Sequence, residues 1–246
     1  MSRRRFLVPP GSLEPGRELE LPPAEAAHAR KVLRLGPDQI VWLLDGRGRV
    51  ARARLLRVER RSVLARVEEV DTPPPPRPSL VLGLGLLKAP AMDLLCRALT
   101  ELMVQELRPF LCRRSVPRLD KPGQRVERWQ RLAAQALKQC GAPQAPRIHQ
   151  PVPLAEMLAA APAGARRILL YEEERHHPLA RALAGPVPEE VWLLVGPEGG
   201  FTPQEAEAAG QAGFTPCTLP GALLRAETAA LAAAAVVRFG LDNQHL

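Results

Sequence analysis

Hydrophobic and polar positions alternate along the N-terminal third of the chain. Between residues 39 and 69, apolar and polar side chains follow each other in turn, the spacing expected of half-buried strands. Val41–Leu44 runs into Asp45-Gly46, a favoured hairpin turn, and Arg49–Val58 and Ser62–Val70 continue the pattern. Good helix formers across Pro23–Leu35 predict one short helix. These elements predict a small β-barrel-like domain.

A run of prolines interrupts this pattern. Residues 73–76 are all proline, and Pro78 follows shortly after. Consecutive prolines favour an extended spacer and exclude a helix or a central strand. We therefore expect an N-terminal domain over residues 1–72, a Pro-rich linker over 73–78 and a second domain over 79–246.

The pattern after the linker differs, because continuous apolar runs alternate with helical segments. The predicted elements are, in order, a strand over Leu80–Leu87, a helix over Ala91–Leu107, a short strand over Pro109–Cys112, a helix over Val126–Cys140, and strands over Arg167–Tyr171 and Val191–Val195. Continuous apolar strands are typical of sheets that are covered on both faces. The second domain is therefore predicted to be α/β with a mainly parallel sheet.

The charge of the chain favours a polyanionic partner. The formal net charge is +8, the sequence pI is about 10.1, and most of the basic residues are arginine, whose planar guanidinium suits phosphate. No C-x-x-C pair is present, and the His176-His177 pair is not expected to bind metal. We therefore expect nucleic acid as a partner and no metal.

Two features bear on location. The arginines at the N-terminus superficially resemble an export signal, but no apolar segment follows them. The longest apolar run, Ala229–Val237, is too short to cross a bilayer. We therefore expect a cytoplasmic protein that does not enter a membrane.

Two C-terminal segments carry the candidate chemistry. In the first, an apolar strand ends in the Gly-rich loop Gly196–Gly200, and Thr202-Pro203-Gln204-Glu205 then forms a helix-capping box. In the second, Arg225 and Glu227 open an Ala-rich helix, where charges are costly unless they are paired or used. A functionless strand–helix turn explains the first segment equally well. An Arg225–Glu227 pair at a helix end is the structural alternative for the second.

Together these segments resemble the RsmE family of 16S rRNA uracil-N3 methyltransferases, in the SPOUT superfamily. That family has a V-G-P-E-G-G-F loop followed by L-G-x-R-I-L-R-x-E-T-A, close to Val195–Phe201 and Leu219–Ala229 here. His28–Leu35 and Asp45–Gly48 are similar to its PUA-like domain, and Thr100–Leu102 to its ATELG segment. The resemblance implies a trefoil-knotted α/β methyltransferase domain with an N-terminal PUA-like β-barrel. It also implies S-adenosylmethionine as cofactor, a homodimer, and 16S rRNA or the assembled small subunit as partner.

The resemblance also implies roles for individual residues. Arg225 would stabilise the developing uracil anion, and Glu101 or Glu198 would accept the proton. The expected cofactor-binding residues are Leu170, Tyr171, Leu194, Gly196, Pro197, Glu198, Gly199, Gly200, Leu219, Gly221, Leu224 and Thr228. The expected RNA-binding residues are Arg3, Arg4, Arg5, His28, Arg30, Lys31, Arg34, Lys88, Arg113, Arg114, Arg118 and Arg128.

The chain departs from the family pattern at several positions. Pro220-Gly221 reverses the usual order, and Ala222 replaces an arginine. Met103 replaces a glycine, and Lys138, Cys140 and Ala142 replace polar family residues. These departures bear on RNA contact more than on cofactor binding.

Two other functions stay open at this point. A knotted methyltransferase acting on another rRNA or tRNA position, such as a ribose 2′-O, would share both C-terminal segments. A non-catalytic PUA-type RNA-binding protein is the alternative outside the enzymes. The intact Gly-rich loop favours an enzyme, and cofactor binding would separate the two classes.

Overall fold

The N-terminal strands form a five-stranded sheet in the order β1-β3-β4-β5-β2. The strands are β1 (Arg5–Leu7), β2 (Glu18–Glu20), β3 (Ile40–Leu44), β4 (Val50–Val58) and β5 (Val63–Asp71). β1 pairs with β3 in parallel, and the other pairs are antiparallel. Alternate side chains, including Val41, Leu43, Ala53, Leu55 and Val67, are buried in one hydrophobic cluster. The alternation predicted for residues 39–69 is therefore confirmed.

The helix predicted over Pro23–Leu35 is divided into two pieces. α1 (Pro23–Ala27) continues into a π-helical turn over His28–Val32, where the Leu33 N–H donates to the His28 carbonyl at 3.1 Å. Arg34 then adopts a φ of 50° and reverses the chain.

The second sheet is parallel throughout, as the alternating pattern predicted. Its strands are β6 (Ser79–Gly85), β7 (Glu106–Leu111), β8 (Arg147–Ile148), β9 (Val152–Pro153), β10 (Arg166–Leu170), β11 (Glu190–Val195) and β12 (Thr215–Cys217). The order is β12-β10-β11-β6-β7-β8, and β9 also pairs with β7. The central strands β6 and β11 are buried along almost their whole length, which explains their continuous apolar sequences.

Six helices accompany this sheet within the described residues. They are α2 (Ala89–Glu101), α3 (Pro122–Cys140), α4 (Leu154–Ala159), α5 (Leu179–Ala182), α6 (Pro203–Gln211) and α7 (Ala226–Asp242). The prediction of a helix over Ala91–Leu107 is wrong at its end. The helix stops at Glu101 because Met103 takes a left-handed φ of 51°, and Leu107 belongs to β7.

The computed structural model describes residues 4–115 and 122–242. They divide into two compact units, one of Met1–Pro75 with Ala134–Ala145 and one of Pro76–Ala133 with Pro146–Leu246. The second unit contains the parallel sheet, where α7 packs on α2, β6 and β11. None of the helices among these residues is long and apolar enough to cross a membrane.

Candidate active site

A large cleft opens at the carboxyl ends of β10, β11 and β12. Its volume is about 1370 Å³. Three loops surround it, together with the starts of α2 and α7. Their lining residues lie between 170 and 178, between 195 and 200, and between 217 and 225. Ligands of open parallel α/β sheets bind at the carboxyl ends of the strands. The cleft is therefore the candidate active site of the second unit.

The Gly-rich loop between β11 and α6 forms one wall of the cleft. The predicted capping box is confirmed, because Thr202 Oγ1 accepts from the Glu205 N–H and the Glu205 carboxylate accepts from the Thr202 N–H. The Gly200 N–H donates to the Pro197 carbonyl at 2.9 Å and closes the turn. The C-terminal end of the loop is therefore held by the capped N-terminus of α6.

Neighbouring side chains occupy the space that glycine leaves free in this loop. A Cβ on Gly199 would lie 2.9 Å from Arg114 Cβ, and one on Gly200 would overlap the carboxylate of Glu172. Gly200 also has a φ of 67°, which strains any other residue. Glycine is therefore favoured at position 199 by the nearby Arg114 Cβ and at position 200 by the left-handed backbone, and not only by a ligand.

The segment after β7 is fastened to the Gly-rich loop. Arg114 Nη1 donates to the carbonyls of Gly199 and Phe201 at 3.0 and 3.2 Å, and the Arg113 N–H donates to Glu205 Oε1 at 2.7 Å. Burial disfavours the charged form of Glu205, but the backbone N–H groups of Arg113 and Thr202 outweigh it and lower its pKa. This carboxylate therefore joins two loops in its ionised form.

The third loop leads from β12 to α7 and carries Arg225 at its end. The Thr218 N–H donates to the His177 carbonyl at 2.9 Å, so this loop lies against the loop that follows β10. Leu223 is 85% exposed at the cleft, and Arg225 is exposed one residue before α7. In the part of the chain that the structure describes, no ion pair joins Arg225 to Glu227.

The thiol that lines the cleft is not set up for nucleophilic chemistry. Cys217 is fully buried, and burial together with the charge of Glu174 raises its pKa to about 11. A thiol with a raised pKa is a poor nucleophile at neutral pH. The residues described contain no group of three or more His, Cys, Asp or Glu side chains that could hold a metal ion.

Most of the residues expected to bind the cofactor do line the cleft. They are Leu170, Tyr171, Gly196, Pro197, Glu198, Gly199, Gly200, Leu219, Gly221 and Leu224. The structure does not bring Leu194 there, because its side chain is fully buried in the hydrophobic cluster that contains Trp192. Thr228 is exposed in the first turn of α7 but does not contribute to the lining.

The three candidate catalytic residues do not lie together. Arg225 and Glu198 both line the cleft. Glu101 is exposed at the C-terminal end of α2, whereas Pro90 and Ala91 at its N-terminal end line the cleft. Leu94, in the middle of α2, also lines the cleft, and Glu101 lies seven residues or about 10 Å further along the helix. Glu101 does not line the cleft, and its role as a proton acceptor stays a prediction.

The residues expected to bind RNA divide into free and engaged side chains. Lys31, Arg34, Lys88 and Arg113 are exposed, and Arg30 is half-buried. Among the engaged residues, Arg4 donates to Gln39, Arg5 to the Lys138 and Gln139 carbonyls, Arg114 to the Gly-rich loop, and Arg128 to Asp93, while the His28 ring packs edge-on against Phe6. Arg5, Arg114 and Arg128 thus hold structure together. Arg3 and Arg118 lie outside the described residues.

Several lining residues were not anticipated from the sequence. Leu94, Glu172, Glu174 and Arg175 all face the cleft. The three charged residues lie within five positions of the carboxyl end of β10. Their closeness to the end of a parallel strand was the sequence signal that could have identified them. Pro220 and Ala222, which depart from the family pattern, are exposed at the cleft.

Comparison with known proteins finds two RNA methyltransferase domains in this chain. The sequence family of the RNA methyltransferase domain matches residues 74–238, and the family of the RNA methyltransferase PUA domain matches residues 21–68. The chain is 31% identical to ribosomal RNA small subunit methyltransferase E of Mycobacterium tuberculosis, covering 87% of this chain and 83% of the relative. It is 30% identical to the protein of that name from Synechocystis, covering 89% and 72%.

Solved structures match over nearly the whole chain. Ribosomal RNA small subunit methyltransferase E from Neisseria gonorrhoeae, bound to S-adenosyl methionine, superposes with a TM-score of 0.85 at 30% identity, covering 96% of this chain and 97% of that one. A probable rRNA-methyltransferase from Porphyromonas gingivalis gives 0.86 at 29% identity, covering 98% and 99%. The predicted fold class, a knotted SPOUT methyltransferase domain with a PUA-like domain, is confirmed. The chain belongs to the RsmE family of ribosomal RNA small subunit methyltransferases.

Proposed function

We propose that this protein transfers a methyl group from S-adenosylmethionine to N3 of a specific uridine in 16S rRNA. The observation that carries this proposal is the cleft itself, where the Gly-rich loop, the loop before α7 and Arg225 meet at the carboxyl ends of parallel strands. The gonococcal relative, similar over nearly its whole length, is bound to S-adenosyl methionine. The methyl acceptor is then a uridine of the small-subunit rRNA on which this family acts.

The lining of the cleft fits this cofactor. Small-ligand sites are typically 300–1,000 Å³, so a cleft of about 1370 Å³ has room for the cofactor and an acceptor base. Leu170, Leu219 and Leu224 offer apolar surface, and the backbone of Gly196–Gly200 offers polar groups without side chains in the way. When bound, S-adenosylmethionine supplies an electrophilic methyl group on its sulfonium sulfur.

The side chains at the mouth of the cleft accept the proton and stabilise the negative charge that develops on uracil. Uracil N3 must lose a proton before its lone pair can attack, so the site needs a proton acceptor and a stabilising positive charge. Glu198 is the carboxylate on the Gly-rich loop, and we assign it the acceptor role. Arg225 is permanently charged and lies at the start of α7, where the helix dipole adds positive potential.

We propose that two copies of this chain associate. Val236 and Phe239 are exposed on one face of α7, and Leu94 is exposed on α2, the helix against which α7 packs. Exposed apolar side chains grouped on packed helices are typical of protein interfaces. Leu94 and Glu101 are seven residues, or about two helical turns, apart and lie on one exposed face of α2, so Glu101 also belongs to this proposed interface.

We also propose the RNA-contacting surfaces and the location of the protein. In the first unit, Arg30 and Lys31 lie in the π-helical turn and Arg34 follows it, and all three are available for phosphate. In the second unit, Lys88 and Arg113 remain exposed. Because the proposed substrate is ribosomal RNA, we place the protein in the cytoplasm.

Mass spectrometry of 16S rRNA nucleosides tests the proposal. RNA from cells that lack this protein should lose a 3-methyluridine that wild-type RNA contains, and purified protein with S-adenosylmethionine should restore it on isolated small subunits. Loss of a 2′-O-methyl nucleotide instead would support a different knotted methyltransferase. Failure to bind S-adenosylmethionine in calorimetry would support a non-catalytic RNA-binding protein.

A further inference from the structure

The charged side chains around the cleft differ in how far the protein itself already binds them. The lining contains the carboxylates Glu172, Glu174, Glu198 and Glu227 and the cations Lys88, Arg175 and Arg225. A carboxylate already held by backbone donors has much of its charge compensated. The question is which carboxylate keeps its charge available to a ligand.

Three of the four carboxylates are engaged by the protein. Glu198 Oε1 accepts from the backbone N–H of Lys88 at 3.3 Å. Glu174 Oε1 accepts from two consecutive backbone N–H groups of its own loop, at 2.7 and 3.0 Å, and these bonds lower its pKa. Glu227 lies in the first turn of α7, where the helix dipole compensates a negative charge.

Glu172 is different, and Gly200 explains its position. A Cβ on Gly200 would overlap Glu172 Oε1, so the absent side chain leaves room for the carboxylate over the backbone of the Gly-rich loop. Residues 4–115 and 122–242 provide no hydrogen bond or ion pair to the Glu172 carboxylate. Its carboxylate therefore faces the cleft without a partner among these residues.

The proposed reaction changes the charge of the molecule in this cleft. This step rests on the proposed function. The sulfur–methyl bond breaks with its electron pair left on sulfur, the methyl bonds to uracil N3, and the N3 proton passes to an acceptor. S-adenosylmethionine carries one more positive charge than S-adenosylhomocysteine, the product. A fixed negative charge nearby stabilises the charged donor and does little for the neutral thioether.

We propose that Glu172 determines specificity for the charged cofactor over the demethylated product. It acts through its charge at the wall of the cleft, and it thereby favours replacement of S-adenosylhomocysteine by fresh S-adenosylmethionine after each methyl transfer. Gly200 is the positioning residue that makes room for this carboxylate.

Calorimetric titration of the full chain with both compounds tests this assignment. Glu172→Gln should weaken S-adenosylmethionine binding by about fivefold to tenfold and S-adenosylhomocysteine binding by less than about twofold, because only the former loses a charge–charge attraction. Glu172→Asp should retain most of the preference. Glu207→Gln is the matched control, since it makes the same change of charge at an exposed position of α6 that does not line the cleft.

The outcomes separate this assignment from the proposed function. If Glu172→Gln weakened the binding of both compounds equally, the assignment would be overturned. Glu172 would then contact a group that the two ligands share. If Glu172→Gln does not fold, salt titration of the wild-type protein decides, because screening should reduce the preference for S-adenosylmethionine. A salt-independent preference would overturn the assignment alone. Wild-type protein that binds neither compound would overturn the proposed function as well.

Discussion

Arg225 carries a permanent charge where the loop from β12 ends and α7 begins. Its carbonyl accepts from the Ala229 N–H at 2.8 Å, so its backbone takes part in the first turn of the helix. The side chain is exposed at the cleft, and the described residues include no ion pair between it and Glu227. The backbone of Arg225 is thus structural, while its guanidinium is available to substrate.

Arg225→Ala should lower turnover by roughly 100-fold or more, since removal of one preorganised donor typically costs ~2.7–4 kcal/mol in the transition state. Cofactor affinity and melting temperature should change little. Arg225→Lys should recover only part of the rate, because an ammonium does not reproduce the planar fork. Single-turnover methylation of small subunits measures the effect. A variant that methylates at the wild-type rate would remove Arg225 from the mechanism.

Glu205 makes the loops of the cleft sensitive to acid. Its pKa is lowered in the folded protein from the ordinary value of 4.5, so the folded state binds the proton less readily than the unfolded chain. Stability from this group is therefore present above that value and is lost as the pH falls through the folded pKa. Glu205→Gln should lower the melting temperature at about pH 7, and the difference from wild type should shrink towards about pH 3. A constant difference across this range would contradict the prediction.

The end of α2 shows how a local backbone feature decides an element boundary. The Met103 N–H donates to the Thr100 carbonyl at 3.1 Å and the Val104 N–H to the Leu99 carbonyl at 3.0 Å, which together form a Schellman motif. Met103 occupies the left-handed position with a φ of 51°. The fully buried Arg238 then donates to the Met103 carbonyl at 2.8 Å.

Met103→Gly should therefore stabilise the protein. A residue with a Cβ pays roughly 1–2 kcal/mol in the left-handed region, and glycine does not, so we expect a gain of about 1 kcal/mol after the larger chain entropy of glycine is subtracted. Met103→Ala is the control, because it keeps the strained backbone and loses the side chain. Urea unfolding measures both variants. Equal loss of stability in the two would show that the Met103 side chain outweighs the strain.

The limits of sequence-based prediction follow from the same elements. β3 to β6 and β11 were predictable because their burial imposes alternating or continuous apolar patterns. The end of α2 was not, because Leu107 continues the apolar pattern and a left-handed methionine has no compositional signal. The Gly-rich loop and Arg225 were predictable as motifs. The role of Glu172 depends on Gly200, a contact between distant parts of the chain.

At the scale of the whole chain, α3 contributes to both units. Residues 134–140 belong to the unit of the N-terminal sheet, where Arg5 donates to the carbonyls of Lys138 and Gln139 at 3.2 and 3.1 Å. Lys138 Nζ pairs with Glu25 Oε1 at 2.9 Å, and Ala142 is 7% exposed. These two departures from the family pattern therefore serve packing within this unit. The composition break at the prolines alone gave no sign that a later segment returns to it.

Lys138→Met should destabilise this unit by about 2 kcal/mol. Glu25 is 8% exposed, and removal of its partner leaves a largely buried carboxylate without compensation, a change that costs 3–5 kcal/mol at fully buried sites and less here because both side chains retain some exposure. The double variant Glu25→Gln/Lys138→Met should recover part of the loss, since the remaining amide carries no charge. Urea unfolding of the full chain measures all three proteins. Because neither residue lines the cleft, affinity for S-adenosylmethionine should stay at the wild-type value. A double variant less stable than Lys138→Met alone would show that the stabilising contribution is not the charge pair.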